Sequence, residues 1–292
     1  MAKLKTRVTG KLSQIYLICR SYITQILRRY TVHIIPIDGG LGSQILQFTL
    51  YAWLKREGKR VFLDARYFDE KSMPEVGNWV TQRIWKLDSF GHLLKDENLG
   101  IGLRLRDNDF MRLYFKHYKR ILQDKDFLNM LFPLDTKAMR NILNSVGLSE
   151  DKLDKVLLIH IRQGDFLTAA SLLLNEDYYI KALEFVQRQT VVSSIIILSD
   201  EAINANRFPR ISGLLATNTP KFRAIIGGDE LVIHNLMRSC KALICSNSTF
   251  SFTAAMLKTS GIIVYPSEFY KGETSALNPI FKLELGTEIS SA

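Results

Sequence analysis

The sequence has little cysteine, and its cysteines are not arranged to bind a metal. Only Cys19, Cys240 and Cys245 occur among 292 residues, and no Cys-x-x-Cys pair or His/Cys cluster is present. Structural zinc sites need such ligands at short spacings, so we expect no zinc centre. An odd number of cysteines also argues against a disulfide framework and favours a reducing compartment.

Long apolar runs are missing as well. No stretch approaches the roughly 20 apolar residues that a spanning helix requires. The basic N-terminal segment is interrupted by Arg20, and no small-residue cleavage site follows it, which argues against a secretory signal peptide. We therefore expect a cytoplasmic protein.

Negative charge is absent from residues 1–31. The formal net charge is +10, and this segment carries seven Lys and Arg, which leaves only +3 (10 − 7) for the rest of the chain. That near balance gives no reason to expect nucleic-acid binding. Apolar residues recur every three or four positions from Leu12 to Tyr30, which predicts an amphipathic helix. Two placements stay open: the helix packs on the domain, or it lies on the inner face of the membrane.

The remainder alternates between short apolar runs and helical patterns. A strand over 32–37, a glycine-rich turn, a helix from about 45 and a strand over 60–64 open it. Residues 65–150 indicate mainly helices and loops. Five further strands are predicted at 155–161, 194–199, 222–226, 242–246 and 261–265, and helices at 177–189, 229–239 and 249–259. This alternation predicts parallel sheets with covered faces, and a polar stretch near 150 divides the chain into domains 32–150 and 151–292.

Two common phosphate-binding motifs are also absent. In the turn GGLGSQ, a dinucleotide fingerprint would need a third glycine where Ile45 stands, and no Gly-Lys-Ser/Thr follows. An oxidoreductase is therefore disfavoured. The turn is either simply tight or a ligand loop in which Gly40, Gly42, Ser43 and Gln44 approach an anion at a helix N-terminus.

The stretch HIRQGDF follows one of the predicted strands, at the edge of the sheet where ligands bind in open parallel folds. Arg162 has the bidentate fork that suits phosphate. Asp165 would orient Arg162 or bind a sugar hydroxyl, and His160 would donate to an anion or a ribose. The alternative is a local salt bridge in a turn.

Two more polar stretches follow predicted strands. Asp200 suits a guanine edge or a ribose hydroxyl, although it could equally cap a helix. The segment SNSTFS opens a predicted helix with more polar side chains than a cap needs, which favours a phosphate cradle. Its candidate ligands are Ser246, Asn247, Ser248, Thr249 and Ser251.

Together, these four stretches resemble the α-1,2-fucosyltransferases of glycosyltransferase family 11. That family shows a GGLGNQ-like loop, an HxRRGDY-like motif, an SDD-like strand end and an SNSSFSWW-like segment in this order; here they read GGLGSQ, HIRQGDF, SDE and SNSTFSFT. The similarity spans about residues 32–265. Ser43 departs from the usual Asn, Gln163 from a second Arg, and Phe252 and Thr253 from two Trp.

The resemblance implies the GT-B architecture, in which two Rossmann-like domains with parallel sheets face a cleft. The C-terminal half would hold GDP-fucose, with Arg162 on the diphosphate, His160 and Asp165 shaping the same site, and Asp200 on guanine. The reaction would invert the anomeric centre without a metal or other cofactor, since no Asp-x-Asp signature follows a predicted strand. Asp107-Asn108-Asp109 is interpreted as a solvated loop.

The sequence leaves the donor, the acceptor and the general base open. The donor could be another nucleotide sugar, or the chain could be a non-catalytic nucleotide- or glycan-binding paralogue. The family expectation for the acceptor is a galactose-terminated glycan, which could be lipid-linked. The general base could be Asp38, Asp165 or an acid of residues 65–130.

Overall fold

The structure is a computed structural model. It describes residues 33–68, 84–92, 103–104, 107–137, 139–164, 173–217, 219, 221–269, 283 and 286–290. Segment 1–31, and with it the predicted amphipathic helix, lies outside these residues. The described strands form two parallel sheets, one on each side of the predicted border near residue 150. The prediction of an α/β protein with two parallel sheets is confirmed.

The N-terminal sheet is small. Its strands are β1 (His33–Pro36), β2 (Val61–Asp64) and β3 (Leu103–Arg104), in the order β2-β1-β3. Helix α1 (Leu41–Arg56) crosses from β1 to β2, and its Ile45 and Leu50 are fully buried in the apolar cluster that also contains Ile35 of β1. This is the βαβ unit that the sequence predicted. Strand β3 is only two residues long and was not predicted.

The C-terminal sheet is larger and wholly parallel. Its strands are β4 (Val156–Ile161), β5 (Ser194–Ser199), β6 (Phe222–Ile226), β7 (Ala242–Ile244), β8 (Ile262–Pro266) and β9 (Gly286–Ile289). Their order is β6-β5-β4-β7-β8-β9, which is the Rossmann order 3-2-1-4-5-6 when counted within this half. All residues of β4 and β5 are buried, because helices cover both faces of such a sheet.

The described helices of this half alternate with its strands. They are α5 (Glu176–Gln189), α6 (Pro209–Ala216), α7 (Glu230–Ser239) and α8 (Thr249–Leu257). Three of the four were predicted to within two residues at each end. Helix α6 was missed.

For residues 65–150 the sequence predicted mainly helices and loops, and the described part of this region contains three α-helices. The described helices here are α2 (Asp107–Gln123), α3 (Lys125–Leu131) and α4 (Met139–Ser145). The interpretation of Asp107-Asn108-Asp109 as a solvated loop was wrong, because these residues begin α2. Acids near a helix start are favoured by the helix dipole, which explains the acidic run without a metal site.

Helices α1 and α8 join the two halves. One cluster of buried apolar side chains runs from Ile35 in β1 to Phe252 in α8 and on to Ile263 in β8. From α3, Lys125 Nζ donates to the Met256 carbonyl at 2.6 Å and to the Lys258 carbonyl at 3.4 Å, so it binds the C-terminal end of α8. A second cluster covers the opposite face of the C-terminal sheet, under α5 and α6.

Candidate active site

A pocket of about 770 Å³ lies between the two halves and takes residues from all four stretches singled out in the sequence. It lies beyond the carboxyl ends of β4, β5, β6 and β7. The order of strands reverses between β4 and β7, and such a switch point is where open α/β sheets bind their ligands. Nine of the predicted site residues line it: Gly40, Gly42, Ser43, His160, Arg162, Asp200, Asn247, Ser248 and Thr249.

Arg162 and Asp200 form an ion pair at the ends of the adjacent strands β4 and β5. Arg162 Nη1 lies 2.9 Å from Asp200 Oδ2, and both side chains are about a quarter exposed (23% and 24%). The other carboxylate oxygen of Asp200 accepts from the backbone N–H of Gln163 at 2.9 Å. Asp200 therefore orients the guanidinium, a part that sequence reasoning gave to Asp165, which lies outside the described residues.

Close packing leaves the guanidinium–carboxylate pair little freedom. A Cβ built on Gly164 would lie 2.4 Å from Asp200 Oδ2, so any larger residue here would have to displace this carboxylate from its place beside Arg162. The cation is held at the pocket wall before any ligand arrives.

Gln163 does not face the pocket. Its side chain is 1% exposed, and its Nε2 donates to Ser199 Oγ at 3.0 Å and to the carbonyls of Glu201 at 3.3 Å and Ala202 at 3.1 Å. These bonds tie the end of β4 to the loop after β5. Gln163 therefore supports the loop. Because its side chain does not face the pocket, having Gln here in place of the usual second Arg does not itself set the charge inside the pocket.

His160 lines the pocket but is uncharged. Its Nδ1 lies 2.8 Å from Ser246 Oγ, and its ring lies beside that of Phe250, with 5.7 Å between centroids. Burial, together with the nearby positive charge of Arg162, lowers the pKa of His160 to about 3. A neutral imidazole offers one donor and one acceptor, so His160 contributes a hydrogen bond to the site and no charge.

The start of α8 presents the SNSTFS segment to the pocket. Ser248 is the N-cap, and its Oγ accepts from the Phe250 N–H at 3.3 Å. Asn247 Nδ2 donates to the Phe269 carbonyl at 3.3 Å. Ser246 and Ser251 do not line the pocket: both are fully buried, with 3.3 Å between their hydroxyl oxygens. Their prediction as ligand contacts is corrected to support of the loop and of His160.

The glycine loop approaches from the N-terminal half. Gly39 has φ +72°, and Gly40 precedes α1 without a side-chain cap, so the first N–H groups of α1 are directed to the pocket. A Cβ on Gly42 would lie 2.4 Å from the Phe250 backbone nitrogen. Gly42 therefore allows α1 to touch α8, and Ser43 Oγ lies 3.4 Å from Thr249 Oγ1 across this contact.

Gln44 has a structural part instead of the predicted ligand contact. It is fully buried, its Nε2 donates to the carbonyls of Gly39 and Ile84, and its Oε1 accepts from the Lys86 N–H, all at 2.9–3.0 Å. Asp38, a candidate base, also does not line the pocket, and its Oδ1 accepts from Gln47 Nε2 at 2.7 Å.

Sequence reasoning missed the side of the pocket beyond β6. Ile225, Ile233 and Glu230 line it, together with Gly227 and Gly228, which have φ of +66° and +105°. The glycine pair between a predicted strand and a predicted helix was the available signal, because such turns follow strands at the ligand edge. In the part of the chain that the structure describes, no group of three or more His, Cys, Asp or Glu could hold a metal ion.

Two α/β halves bring one arginine and the starts of two helices to a single pocket at the carboxyl ends of the strands, which is where proteins of this general class bind their ligands. The sequence pattern of glycosyl transferase family 11 matches residues 95–284, more than half of the chain. The chain belongs to this family and is a glycosyltransferase.

Two further proteins resemble the chain. The O-antigen biosynthesis glycosyltransferase WbnK of Escherichia coli is 23% identical over 302 residues, which cover 82% of this chain and 95% of WbnK. A solved structure of the E. coli ADP-heptose LPS heptosyltransferase II matches with a TM-score of 0.43 and 9% identity, covering 89% of this chain and 90% of that one. No helix among the described residues is long and apolar enough to cross a membrane.

Proposed function

We propose that the protein is an inverting fucosyltransferase, which moves L-fucose from GDP-fucose to a glycan hydroxyl and forms an α-1,2 linkage to a galactoside. The observation that carries this proposal is the Arg162 cation, held by Asp200 in a pocket to which α1 and α8 both present their N-termini. The family that the chain belongs to supports the choice of donor.

The chemistry follows from the charge that develops during transfer. Breaking the bond between the sugar and the diphosphate builds negative charge on the leaving GDP. Arg162 would stabilise that charge with two parallel hydrogen bonds, and the N–H groups at the starts of α1 and α8 would add to it. Groups that are fixed before the reaction lower the barrier most, because they need no reorganisation in the transition state.

Metal independence belongs to the same proposal. The guanidinium and two helix N-termini would supply the positive potential that a divalent cation supplies in other nucleotide-sugar enzymes. We expect full transfer activity in excess EDTA. A strict requirement for Mg²⁺ or Mn²⁺ would contradict the assignment.

The donor and the reaction are tested together. Purified protein is titrated with GDP, UDP, ADP and CDP, and is then assayed with labelled GDP-fucose and a galactose-terminated acceptor. We expect GDP to bind most tightly and label to move to the acceptor. Tighter binding of another nucleotide would favour a different donor sugar, and binding without transfer to any acceptor would favour the non-catalytic alternative.

We further propose a cytoplasmic enzyme that contacts the membrane through residues 1–31 and acts on a lipid-linked glycan. Seven Lys and Arg and no acid suit an anionic leaflet, at about 1 kcal/mol for each cation near the surface. Full-length protein should sediment with anionic liposomes at low salt, and a chain starting at Thr31 should remain active on a soluble acceptor without sedimenting. If the shortened chain aggregates, the segment packs on the domain instead.

A further inference from the structure

The pocket has two chemically different ends, defined by the strands they follow. One end follows β4 and β7 and carries Arg162, Ser248 and Thr249; the other follows β6 and carries Ile225, Glu230 and Ile233. In the sheet, β6 is separated from β4 by β5 alone, and β7 lies beyond β4. At about 4.8 Å per strand, the β6 end lies roughly 10–14 Å from the other. An extended nucleoside diphosphate has a similar separation between its phosphates and its base.

A carboxylate can accept hydrogen bonds at both of its oxygens, which suits the paired donors of a guanine edge or a ribose. Among the described residues, three line the pocket: Asp200, Glu201 and Glu230. Asp200 already accepts from Arg162 and from the Gln163 N–H, and therefore serves the anionic end. Glu201 lies beside the same loop, since its Oε1 is 3.9 Å from a Cβ built on Gly164. Only Glu230 belongs to the β6 end.

Local structure holds Glu230 at the pocket wall. It is the first residue of α7, behind the N-cap Asp229, whose carboxylate accepts from the N–H groups of Leu231 and Val232 at 2.9 and 3.0 Å. Gly227 N–H donates to the Ser199 carbonyl at 2.8 Å, which fixes the end of β6 against β5.

The walls around Glu230 suit a flat, apolar-faced group. Leu198, Ile225 and Ile233 all line the pocket and are at most 8% exposed, so their positions are set by the core. Gly227 and Gly228 also line the pocket and add backbone without side chains to this end of it. Aliphatic walls with one acceptor at the edge match a nucleoside, whose ring has apolar faces and polar rims.

We propose that Glu230, not Asp200, recognises the nucleoside of the donor by accepting two adjacent hydrogen bonds. This inference rests on the proposed function. A carboxylate accepts such a pair equally well from the N1–H and exocyclic amine of guanine or from the 2′- and 3′-hydroxyls of ribose. Both sources share this chemistry, and nucleotide analogues separate them.

The test measures binding of GDP, IDP and 2′-deoxy-GDP to the full-length protein and to Glu230→Gln, by calorimetry. The isosteric amide removes the charge, and we expect GDP to bind roughly 10- to 100-fold more weakly. If the guanine edge is read, the preference for GDP over IDP disappears in the variant. If ribose is read, the preference for GDP over 2′-deoxy-GDP disappears instead. Either result supports the proposal.

Glu201→Gln is the matched control, since it removes a carboxylate from the same pocket at its other end. We expect it to keep both preferences. Because each preference is a ratio within one variant, a change in the folded fraction does not imitate the effect. The proposal is overturned if Glu230→Gln keeps wild-type affinity and both preferences, or if Glu201→Gln loses them instead. Failure of the wild-type protein to bind any of the three nucleotides would overturn the proposed function as well.

Discussion

The two halves of the molecule contribute to the pocket in different ways. The N-terminal half offers backbone: a glycine loop and the uncapped start of α1, set on a sheet whose described strands are two to four residues long. The C-terminal half offers charged and polar side chains at the ends of β4 and β5, which are six residues long and buried throughout.

This difference follows from what each group must do. A side chain that stabilises developing charge has to be held within a fraction of an ångström, and a long buried strand does this well. A loop that closes over a ligand needs close backbone approach, which glycine permits and larger residues prevent. We infer that the C-terminal half sets the chemistry and the N-terminal half sets the fit.

Removing the guanidinium of Arg162 should have the largest effect on transfer activity. Arg162→Ala should lower kcat/KM by roughly 100- to 1,000-fold, and Arg162→Lys nearly as much, because Lys lacks the bidentate fork. Transfer assays with GDP-fucose measure both. The control is Arg207→Ala, an exposed arginine outside the pocket, which should be as active as wild type. Wild-type turnover in Arg162→Ala would show that the cation is not used.

The contact between the halves is tested by Gly42→Ala. The added methyl would overlap the Phe250 backbone and force α1 away from α8, at a cost of about 1–3 kcal/mol of stability. Both the melting temperature and the affinity for GDP should fall. Gly213→Ala is the matched control: it adds the same methyl within α6, where no atom lies within 4 Å, and should be neutral or stabilising. Equal behaviour of the two variants would contradict the close approach.

The support behind Arg162 is tested by Gln163→Ala. Deleting this buried amide removes its bonds to the loop after β5, and we expect a loss of about 1–3 kcal/mol in the free energy of unfolding. Urea unfolding measures the loss. The exposed Gln187 in α5 provides the control, and its change to Ala should stay within about 0.5 kcal/mol of wild type. An unchanged unfolding midpoint in Gln163→Ala would show that the loop needs no such support.

Two buried histidines should make the C-terminal half sensitive to acid. Burial lowers the pKa of His160 to about 3, and it lowers that of His234 well below its usual value. Below pH 6.5 the unfolded chain binds protons that the folded chain refuses, so stability is lost as the pH falls. Each histidine contributes about 1.4 kcal/mol per pH unit, for His160 down to about pH 3.

Urea unfolding at pH 7.5, 6.5 and 5.5 measures this dependence. In His160→Asn the free energy of unfolding should change less steeply with pH, by about 1.4 kcal/mol per pH unit, because Asn cannot take up the proton. The Asn side chain also places a polar atom near the position of Nδ1, which bonds to Ser246. An identical pH dependence in this variant and the wild type would mean that His160 is not held neutral.

The regular part of the fold could be predicted where hydrophobic runs are continuous. Strands β4 and β5 are nearly uninterrupted apolar sequences, and a parallel sheet covered on both faces requires this pattern. Strand β9 was missed because Gly286–Ile289 is an edge strand of mixed polarity, none of it fully buried. Strand β3 is too short to show an alternating or apolar sequence pattern. The acidic sequence that begins α2 is typical of a solvated loop, so the start of this helix was not predicted.

The meeting of the four polar stretches in one pocket was predictable, and the partners of their side chains were not. Polar residues after buried strands predicted a site at the carboxyl edge of the sheet, and nine of those named line the pocket there. A sequence does not reveal that Gln44 turns inward to the Ile84 carbonyl, or that Asp200 is the partner of Arg162. Those outcomes depend on neighbours distant along the chain, and Gln44 and Ile84 are 40 residues apart.

The seam between α1, α3 and α8 bears on how such enzymes diversify. The core passes from one sheet to the other through this seam, and Lys125 of one half binds the end of a helix in the other. A recombination event that joined the N-terminal half of one relative to the C-terminal half of another would leave this seam mismatched. We therefore expect the two halves to be exchangeable between relatives only when the residues of this seam are exchanged with them.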